Sequence, residues 1–300
     1  MKHALLRLFL ILVPFVFFVR LLPVDRTQKT PTTITCPAWF GMSPIFPKEP
    51  LFQKKEEPPY YYPLVSQSDF NKQVSLLKSH LQKNLIPLDR LMLSLPIFLT
   101  KDLHWMVSEK SFIFSQNQQR KELSHIHQDT LLKNYKKIYK KTALTLKSLV
   151  KKYPQFPLLL KLDGKDPQKI LKQLRFLKDH PAPIYLFSLQ EDFLDQVSKE
   201  NLPFLKIHSF KKWVRFQILS FLPRASLLKI PGDGLLLPTS LPLSQKIIFS
   251  IHQSGKILIL EDSPSHPIAP SLSQSINGLV SSQLSSSLKF INQKKTCFLK

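Results

Sequence analysis

A small set of ionisable side chains in this sequence could carry acid–base or metal chemistry. They are Asp102, Glu109, Asp163, Asp233, Glu261 and Asp262, with His208 or His252 as the base. Carboxylate oxygens are the ligands that Ca²⁺ and Mg²⁺ prefer, and histidine transfers protons near neutral pH. Three of these carboxylates within metal-ligand reach of one another would therefore indicate a metal-dependent hydrolase. Each histidine also has a structural interpretation, because His208 lies near a predicted strand end and His252 near a predicted helix end.

The small numbers of glycine and cysteine residues argue against two other common types of site. The chain has only six glycines, and neither GxGxxG nor GxxxxGK[ST] occurs in it, so a glycine-rich phosphate loop is not predicted. Cys36 and Cys297 are too few and too far apart in the chain for a zinc site. They can form one disulfide in an oxidising compartment or remain two thiols, and the sequence leaves both open.

The elements that must position these residues alternate regularly from Thr142 onward. Short apolar strands, each followed by an amphipathic helix, are predicted at 157–163, 183–188, 204–209, 226–230 or 234–238, 256–262 and 278–282. At least two strands precede Thr142, in LMLSLPIFLT and WMVSEKSFIFS. Short buried strands joined by helices indicate a parallel sheet, and this number of units predicts a (β/α)8 TIM-type barrel. An open doubly wound sheet would usually carry a glycine-rich first turn, which is missing here.

The N-terminus predicts a membrane anchor. The uncharged apolar run Leu8–Val19 is shorter than the roughly 20 residues that span a bilayer, but Arg7 and Arg20 flank it and can extend to the interfaces. No small-x-small cleavage sequence follows, which favours an uncleaved anchor helix over residues 1–24. We expect the large remaining part of the chain to lie on the extracytoplasmic, periplasmic side.

The rest of the chain divides by composition. Residues 25–65 are rich in Pro, Thr, Lys and Tyr and are typical of an extended linker. The barrel is predicted over 66–292, beginning with a helix near Ser68, and 293–300 form a basic tail.

The charge of the chain suggests its partners. The 43 Lys and Arg against 20 Asp and Glu give a net charge of +23, which attracts anionic lipid, phosphorylated glycan or nucleic acid, or reflects only a solvated basic surface. The stretch KNYKKIYKK (133–141) interleaves lysine with tyrosine, a pattern found at nucleic-acid and lipid-headgroup contacts and on solvated helix faces. An exported location argues against nucleic acid, and no nucleic-acid fold signature occurs.

The order of several segments resembles one family. LTKD (99–102) is similar to a family "LTKDG" after the second strand, and WMVSEK (105–110) lies in the place of a strand ending in "HD". Further similar segments are TLKSLVKKYPQFPLLLKLDG (145–164), IYLFSLQEDFLDQV (184–197), IHQSGKILILED (251–262) and INGLVSSQLSSSLKFI (276–291). Together they resemble the glycerophosphodiester phosphodiesterases, which are phospholipase-C-like phosphodiesterase barrels, over about 70–292.

The resemblance implies a site that this sequence lacks. Family members hold a divalent cation with an E-x-D on the second strand and the Glu of an E-x-K, and use histidines in an HRG and in the HD. Here the E-x-D positions are Ser94 and Pro96, the HD histidine position is Glu109, the Glu of E-x-K is Lys161, and no HRG occurs. A lysine at a metal position repels the cation. A two-residue shift of register would instead place Asp163 there.

Two functions follow as hypotheses. The first is a membrane-anchored barrel without catalysis or cofactor, which binds an anionic envelope ligand. In it, Lys161 would either hold a phosphate directly or neutralise Asp163 or Glu109. The alternative is a divergent hydrolase that uses Ca²⁺ or Mg²⁺ to act on glycerophosphodiesters or phospholipids.

Overall fold

Strands that are buried on both faces form the centre of the structure, which is a computed structural model. It describes residues 39–45, 61–114, 119–162, 167–200, 202–209, 232–241, 243, 248–249, 251–252, 254–262, 272 and 275–293. All of them lie in one compact unit, Thr33–Lys300. The predicted anchor (1–24), the basic tail (293–300, except residue 293), Cys36 and Cys297 lie outside the described residues.

Eleven strands and six α-helices are labelled here in chain order, among the described residues. The strands are β1 (Trp39–Met42), β2 (Leu91–Leu99), β3 (Trp105–Val107), β4 (Phe112–Phe114), β5 (Arg120–Glu122), β6 (Leu158–Leu162), β7 (Ile184–Ser188), β8 (Leu205–His208), β9 (Gly234–Pro238), β10 (Ile257–Glu261) and β11 (Gly278–Ser281). The helices are α1 (Gln67–Lys83), α2 (Gln128–Tyr139), α3 (Leu146–Lys152), α4 (Pro167–Leu174), α5 (Glu191–Lys199) and α6 (Leu284–Gln293).

Eight of the strands close into a parallel barrel. Their order around the barrel is β1-β2-β6-β7-β8-β9-β10-β11, and the parallel pairing of β11 with β1 completes the circle. Described helices cover the outside, and local signals fix their starts: the Ser66 side chain accepts the Asp69 N–H to cap α1, and Thr145 and Ser148 form a capping box at α3. The predicted (β/α)8 barrel is therefore confirmed.

Two apolar layers stabilise the barrel, one on each face of the strands. Side chains alternate between the faces of a strand, so on β6 Leu159 packs inside the barrel while Leu158 and Leu160 pack against the helices. Because both faces are buried, the strand reads as a continuous apolar run rather than an alternating pattern.

An insertion between β2 and α3 forms a small third core. β3 pairs antiparallel with the carboxyl end of β2, and β4 and β5 form a separate hairpin. Helix α2 packs on this insertion through the buried Leu131 and Tyr135. The strands expected in WMVSEKSFIFS are confirmed as β3 and β4.

The barrel begins earlier than the sequence indicates. β1 lies within the segment 25–65 that was predicted to be a linker, and residues 61–65 of that segment are buried as well. The linker prediction is wrong at these positions. A four-residue strand carries almost no periodic signal, and β1 is held by backbone pairing with β2 and β11, which are distant in sequence. No helix among the described residues is long and apolar enough to cross a membrane.

The turn between β2 and β3 holds a leucine in a glycine-like conformation. Leu103 has φ 64°, and Leu85, at the end of α1, has φ 57°. A non-glycine residue costs about 1–2 kcal/mol there, so Leu103→Gly should raise the free energy of unfolding by about 0.5–1 kcal/mol after the gain in unfolded-chain entropy. Urea unfolding would measure it. Leu85→Gly should change stability in the same direction, and Leu189→Gly, at an exposed site without positive φ, in the opposite one.

Candidate ligand site at the barrel mouth

The mouth of the barrel is formed by the inward positions that follow the interior apolar layer. That layer consists of Met92, Leu159, Tyr185, Ile207, Leu236, Ile259 and Val280. A residue two positions further along a strand faces the same way. The next inward residues are therefore Ser94, Lys161, Phe187, Ser209, Pro238, Glu261 and Ser282. Carboxyl ends of barrel strands are where ligands bind in this architecture.

An ion pair spans this mouth. Lys161 Nζ donates a hydrogen bond to Glu261 Oε1. Their strands, β6 and β10, are four strands apart in either direction around the barrel, so the pair joins opposite walls. The Lys161 side chain is 16% exposed and that of Glu261 is 42% exposed. The ammonium thus lies mainly inside the mouth, while the carboxylate reaches it from the solvent side.

Ser94 lies on the neighbouring strand β2, one inward layer below Lys161. It is fully buried, and its hydroxyl has no hydrogen-bond partner among the described residues. β2 and β6 pair with Ser94 opposite Leu159 and Pro96 opposite Lys161. Ser94, Pro96 and Lys161 are thus neighbours on adjacent strands, as the resemblance implies for the cation ligands of its family.

These residues do not fit a divalent cation. A hydroxyl, an imino-acid ring and an ammonium offer no carboxylate, and Lys161 opposes a cation by its charge. Within the described ranges, no group of three His, Cys, Asp or Glu residues could hold a metal ion. Asp163, which a shift of register would bring in, lies outside the described residues.

The other candidate acids that the structure describes have surroundings of their own. Asp233 lies at the amino end of β9 and accepts the Lys206 N–H at 2.7 Å. Asp262 accepts the Ser281 hydroxyl at 3.1 Å, and Glu109 is exposed after β3. Of the candidate carboxylates that the structure describes, Glu261 is the one that contacts Lys161.

Neither candidate base faces the mouth. His208 is 2% exposed and pairs in register with Leu235, whose side chain packs in the outer core. His252 Nε2 donates to the Ser275 carbonyl at 2.7 Å. Ser275 precedes β11 and His252 precedes β10, so this bond lies at the amino ends of the strands. Both histidines therefore have structural surroundings.

Asp102 joins the β2–β3 turn to helix α2. Its Oδ1 accepts the Thr100 hydroxyl at 2.6 Å and the Gln128 N–H at 3.0 Å. His104 Nε2 and His127 Nδ1 lie 3.9 and 4.0 Å from Oδ2. Burial raises the pKa of Asp102, but the hydrogen bonds from Thr100 and Gln128 and the nearby His104 outweigh it, so the pKa is lowered overall.

Asp102→Asn should lower the free energy of unfolding by about 1–2 kcal/mol at pH 7, because a charge-assisted bond to the start of α2 is weakened. The folded pKa lies below the unfolded one, so this contribution is complete above the unfolded pKa of about 3.9 and disappears as the pH falls through the folded value. Denaturation at neutral and strongly acidic pH measures it. Asp129→Asn, at an exposed position on α2, is the control, and equal losses in both variants would contradict the role of Asp102.

A second concavity was not indicated by the sequence. It has a volume of about 360 Å³ and lies between α1, α2 and the segment after β1. Phe70, Tyr135 and Tyr139 give it aromatic walls, and Lys141 Nζ pairs with Asp69 Oδ2 at 2.7 Å beside it. The Lys141 contact lowers the pKa of Asp69, against a smaller opposing effect of burial.

Comparison with known proteins supports the fold. No protein-family model matches the sequence, and no curated protein matches it. A Galdieria sulphuraria protein assigned to the glycerophosphodiester phosphodiesterases matches with a TM-score of 0.59 at 12% identity, over 85% of this chain and 98% of that one. The chain has the glycerophosphodiester phosphodiesterase fold.

Two other structures of this fold are similar. A glycerophosphodiester phosphodiesterase from Agrobacterium tumefaciens matches with a TM-score of 0.50 at 9% identity, over 72% of this chain and 92% of that one. A phosphodiesterase from Oleispira antarctica, in complex with the product sn-glycerol-3-phosphate, matches with a TM-score of 0.51 at 12% identity, over 67% and 85%. At such identities the likeness concerns the fold alone.

The glycerophosphodiester phosphodiesterase fold makes two departures of this sequence visible. The resemblance implies an HRG histidine near the start of the family sequence. Here β1, the first barrel strand, ends in Met42 and is followed by Ser43, and no HRG occurs in the sequence. Leu103, with its positive φ, stands where the family "LTKDG" has its glycine. The first departure concerns chemistry and the second concerns backbone strain.

Sequence reasoning missed the pairing of Lys161 with Glu261. It offered Asp163 or Glu109 as the neutralising partner and treated Glu261 as one acid among six. The available signal was the alternation along β10, since Glu261 follows Ile259 on the inward face. The alternation alone does not show that Glu261 meets Lys161. That inference needs the order of strands around the barrel, because the two residues are 100 positions apart in the sequence.

Proposed function

We propose that this chain is a membrane-anchored barrel that does not hydrolyse phosphodiesters and that binds an anionic ligand of the cell envelope on the extracytoplasmic side. The observation that carries the proposal is the Lys161–Glu261 pair. An ammonium neutralised by one carboxylate occupies a mouth where the related chemistry would need several carboxylates around a cation. The ligand is the phosphate of a lipid headgroup or of a glycan, and nucleic acid is not the partner.

Lys161 is the ligand-binding residue of this proposal. Its side chain is mostly buried, whereas that of Glu261 is nearly half exposed and can turn towards solvent. A phosphate that displaces Glu261 would offer more negative charge and more acceptor oxygens to the ammonium. The buried Ser94 hydroxyl, one layer further inside the barrel, has no partner of its own among the described residues and is a further donor in this proposal. The net charge of +23 concentrates anions around the molecule.

The alternative, a hydrolase that uses Ca²⁺ or Mg²⁺, has no specific observation in its favour within the described ranges. It would rest on Asp163, on Asp262, which accepts the Ser281 hydroxyl, and on Asp233, which lies at the amino end of β9.

The test uses the full chain in detergent. Calorimetry would measure binding of sn-glycerol-3-phosphate and of Ca²⁺, Mg²⁺ or Mn²⁺, and parallel assays would measure hydrolysis of glycerophosphodiesters and an aryl phosphodiester. We expect no turnover and no cation binding. We expect phosphate-monoester binding that Lys161→Met weakens about tenfold or more and Glu261→Gln strengthens, since a charge-assisted bond is worth about 1.5–3 kcal/mol.

The matched control is Lys199→Met, an exposed lysine on α5 outside the mouth. It should leave binding unchanged. Metal-dependent turnover would overturn the loss of catalysis, and absence of phosphate binding, or equal binding in Lys161→Met, would overturn the role of Lys161. Added protease should digest the barrel from the extracytoplasmic side of intact cells, and protection there would contradict the location.

A further inference from the structure

Three lysines of helix α2 and the lysine that follows its last residue form one exposed basic surface. The α2 lysine face consists of Lys133, Lys136, Lys137 and Lys140, and all four are exposed. The spacing of i, i+3 and i+4 places Lys133, Lys136 and Lys137 on one side of the helix. Lys140 follows as the C-cap residue, with a left-handed backbone at φ 54°. The buried residues of α2, Leu131 and Tyr135, face the insertion core instead.

This face is not neutralised within the described part of the chain. None of its four lysines takes part in an ion pair there, whereas the adjacent Lys141 is held by Asp69 at 2.7 Å. The acidic residue of α2 is Asp129, in its first turn and one turn before Lys133. Like charges at i, i+3 and i+4 destabilise a helix, so the arrangement favours an external anion that covers it.

Of the tyrosines that interleave with these lysines, Tyr135 is buried and Tyr139 is half-buried. The rings of Tyr135 and Tyr139 pack edge-on against buried Tyr62, with centroids 6.5 Å away at interplanar angles of 81° and 86°. The Tyr135 hydroxyl donates to the Leu64 carbonyl at 3.3 Å. Single-stranded nucleic acid is held by bases stacked on exposed rings, and Tyr135 cannot offer one. An anionic lipid surface needs charge alone.

We infer that the α2 lysine face docks on the anionic surface of a lipid bilayer. Each lysine at such a surface strengthens binding about fivefold, so four of them form an effective contact that weakens as salt rises. This surface is separate from the mouth, and it rests on the proposed function only in that the chain acts at a membrane. Lys161 contributes nothing to it.

Lysine footprinting of the full chain tests the docking. The chain would be mixed with phosphatidylcholine vesicles, with or without phosphatidylglycerol, and treated briefly with an acetylating reagent before mass spectrometry. We expect acetylation of the four lysines to fall at least about fivefold with phosphatidylglycerol present and to recover at high salt. Lys83 and Lys199, which are exposed on other helices, are the internal controls.

Variants separate this proposal from the previous one. Replacement of all four lysines by glutamine should abolish the phosphatidylglycerol-dependent part of vesicle binding, whereas Lys161→Met should leave the footprint intact. Equal protection by neutral vesicles, or none, would overturn the docking. Protection by RNA but not by phosphatidylglycerol vesicles would overturn it in favour of a nucleic acid. If the chain does not bind glycerol phosphate but shows the expected footprint, only the proposal for the barrel mouth is overturned.

Discussion

Lys161→Glu is expected to destabilise the cation-free barrel by about 2 kcal/mol or more and to make its stability respond to Ca²⁺. The variant removes the attraction to Glu261 and places two carboxylates at the same mouth. Breaking a buried pair by removing one partner costs about 3–5 kcal/mol, and the partial exposure of Glu261 reduces that figure. The loss corresponds to roughly 5 °C in melting temperature for a domain of this size.

Calcium should restore this loss in the variant alone. Two carboxylates beside each other bind a divalent cation, and saturation at about 100 times the dissociation constant returns about 2.7 kcal/mol. Thermal melts of the wild type and the variant, with chelator or with CaCl₂, measure both effects. A variant as stable as the wild type, or indifferent to Ca²⁺, would show that positions 161 and 261 do not share one mouth.

A double-mutant cycle separates the interaction energy between Lys161 and Glu261 from the contribution of each side chain's packing. Glu261→Gln leaves a mostly buried ammonium without its counter-charge, so it should cost more than Lys161→Met, which leaves a half-exposed carboxylate. The double variant should be close to the wild type, with a coupling energy of about 1 kcal/mol or more. Additive losses would mean that the two charges do not interact.

The barrel was predictable because its information is local. Continuous apolar runs such as LLLKL at 158–162, punctuated by proline and glycine and followed by helices, indicate buried parallel strands wherever they occur. Of the two alternatives for one strand, GLLLP at 234–238 is confirmed as β9, and 226–230 lies outside the described residues. The helix starts at Ser66 and Thr145 could be read in the same way, since capping depends on residues within one turn.

The site was less predictable because its geometry depends on distant pairing. β1 has only four residues and is recognisable as a strand once β2 and β11 flank it. The inward direction of Glu261 follows from the register of β10, and its meeting with Lys161 follows from the position of two strands on opposite walls. A histidine near a strand end, such as His208, can face either layer, and one position of register decides between the two faces.

Gly232→Ala is expected to destabilise the barrel by about 3 kcal/mol, because the surroundings of His208 leave no room for a side chain there. Gly232 has φ 70°, and an added Cβ would lie 2.6 Å from His208 Nε2 and 2.7 Å from the Lys206 carbonyl oxygen. The positive φ alone costs about 1–2 kcal/mol, and crowding against backbone adds about 1–3 kcal/mol because the carbonyl cannot move aside. Denaturant unfolding measures the sum.

Gly255→Ala separates the two costs, because Gly255 has φ 67° and an added Cβ there would meet nothing within 4 Å. We expect a loss of about 1 kcal/mol for Gly255→Ala from the backbone alone. The difference between the two losses in free energy of unfolding then measures the steric cost of a Cβ next to the His208 imidazole and the backbone of β8. A gap of about 2 kcal/mol would fix His208 as a packing residue of the outer layer. Equal losses would mean that the ring is free to move, which would restore His208 as a candidate base.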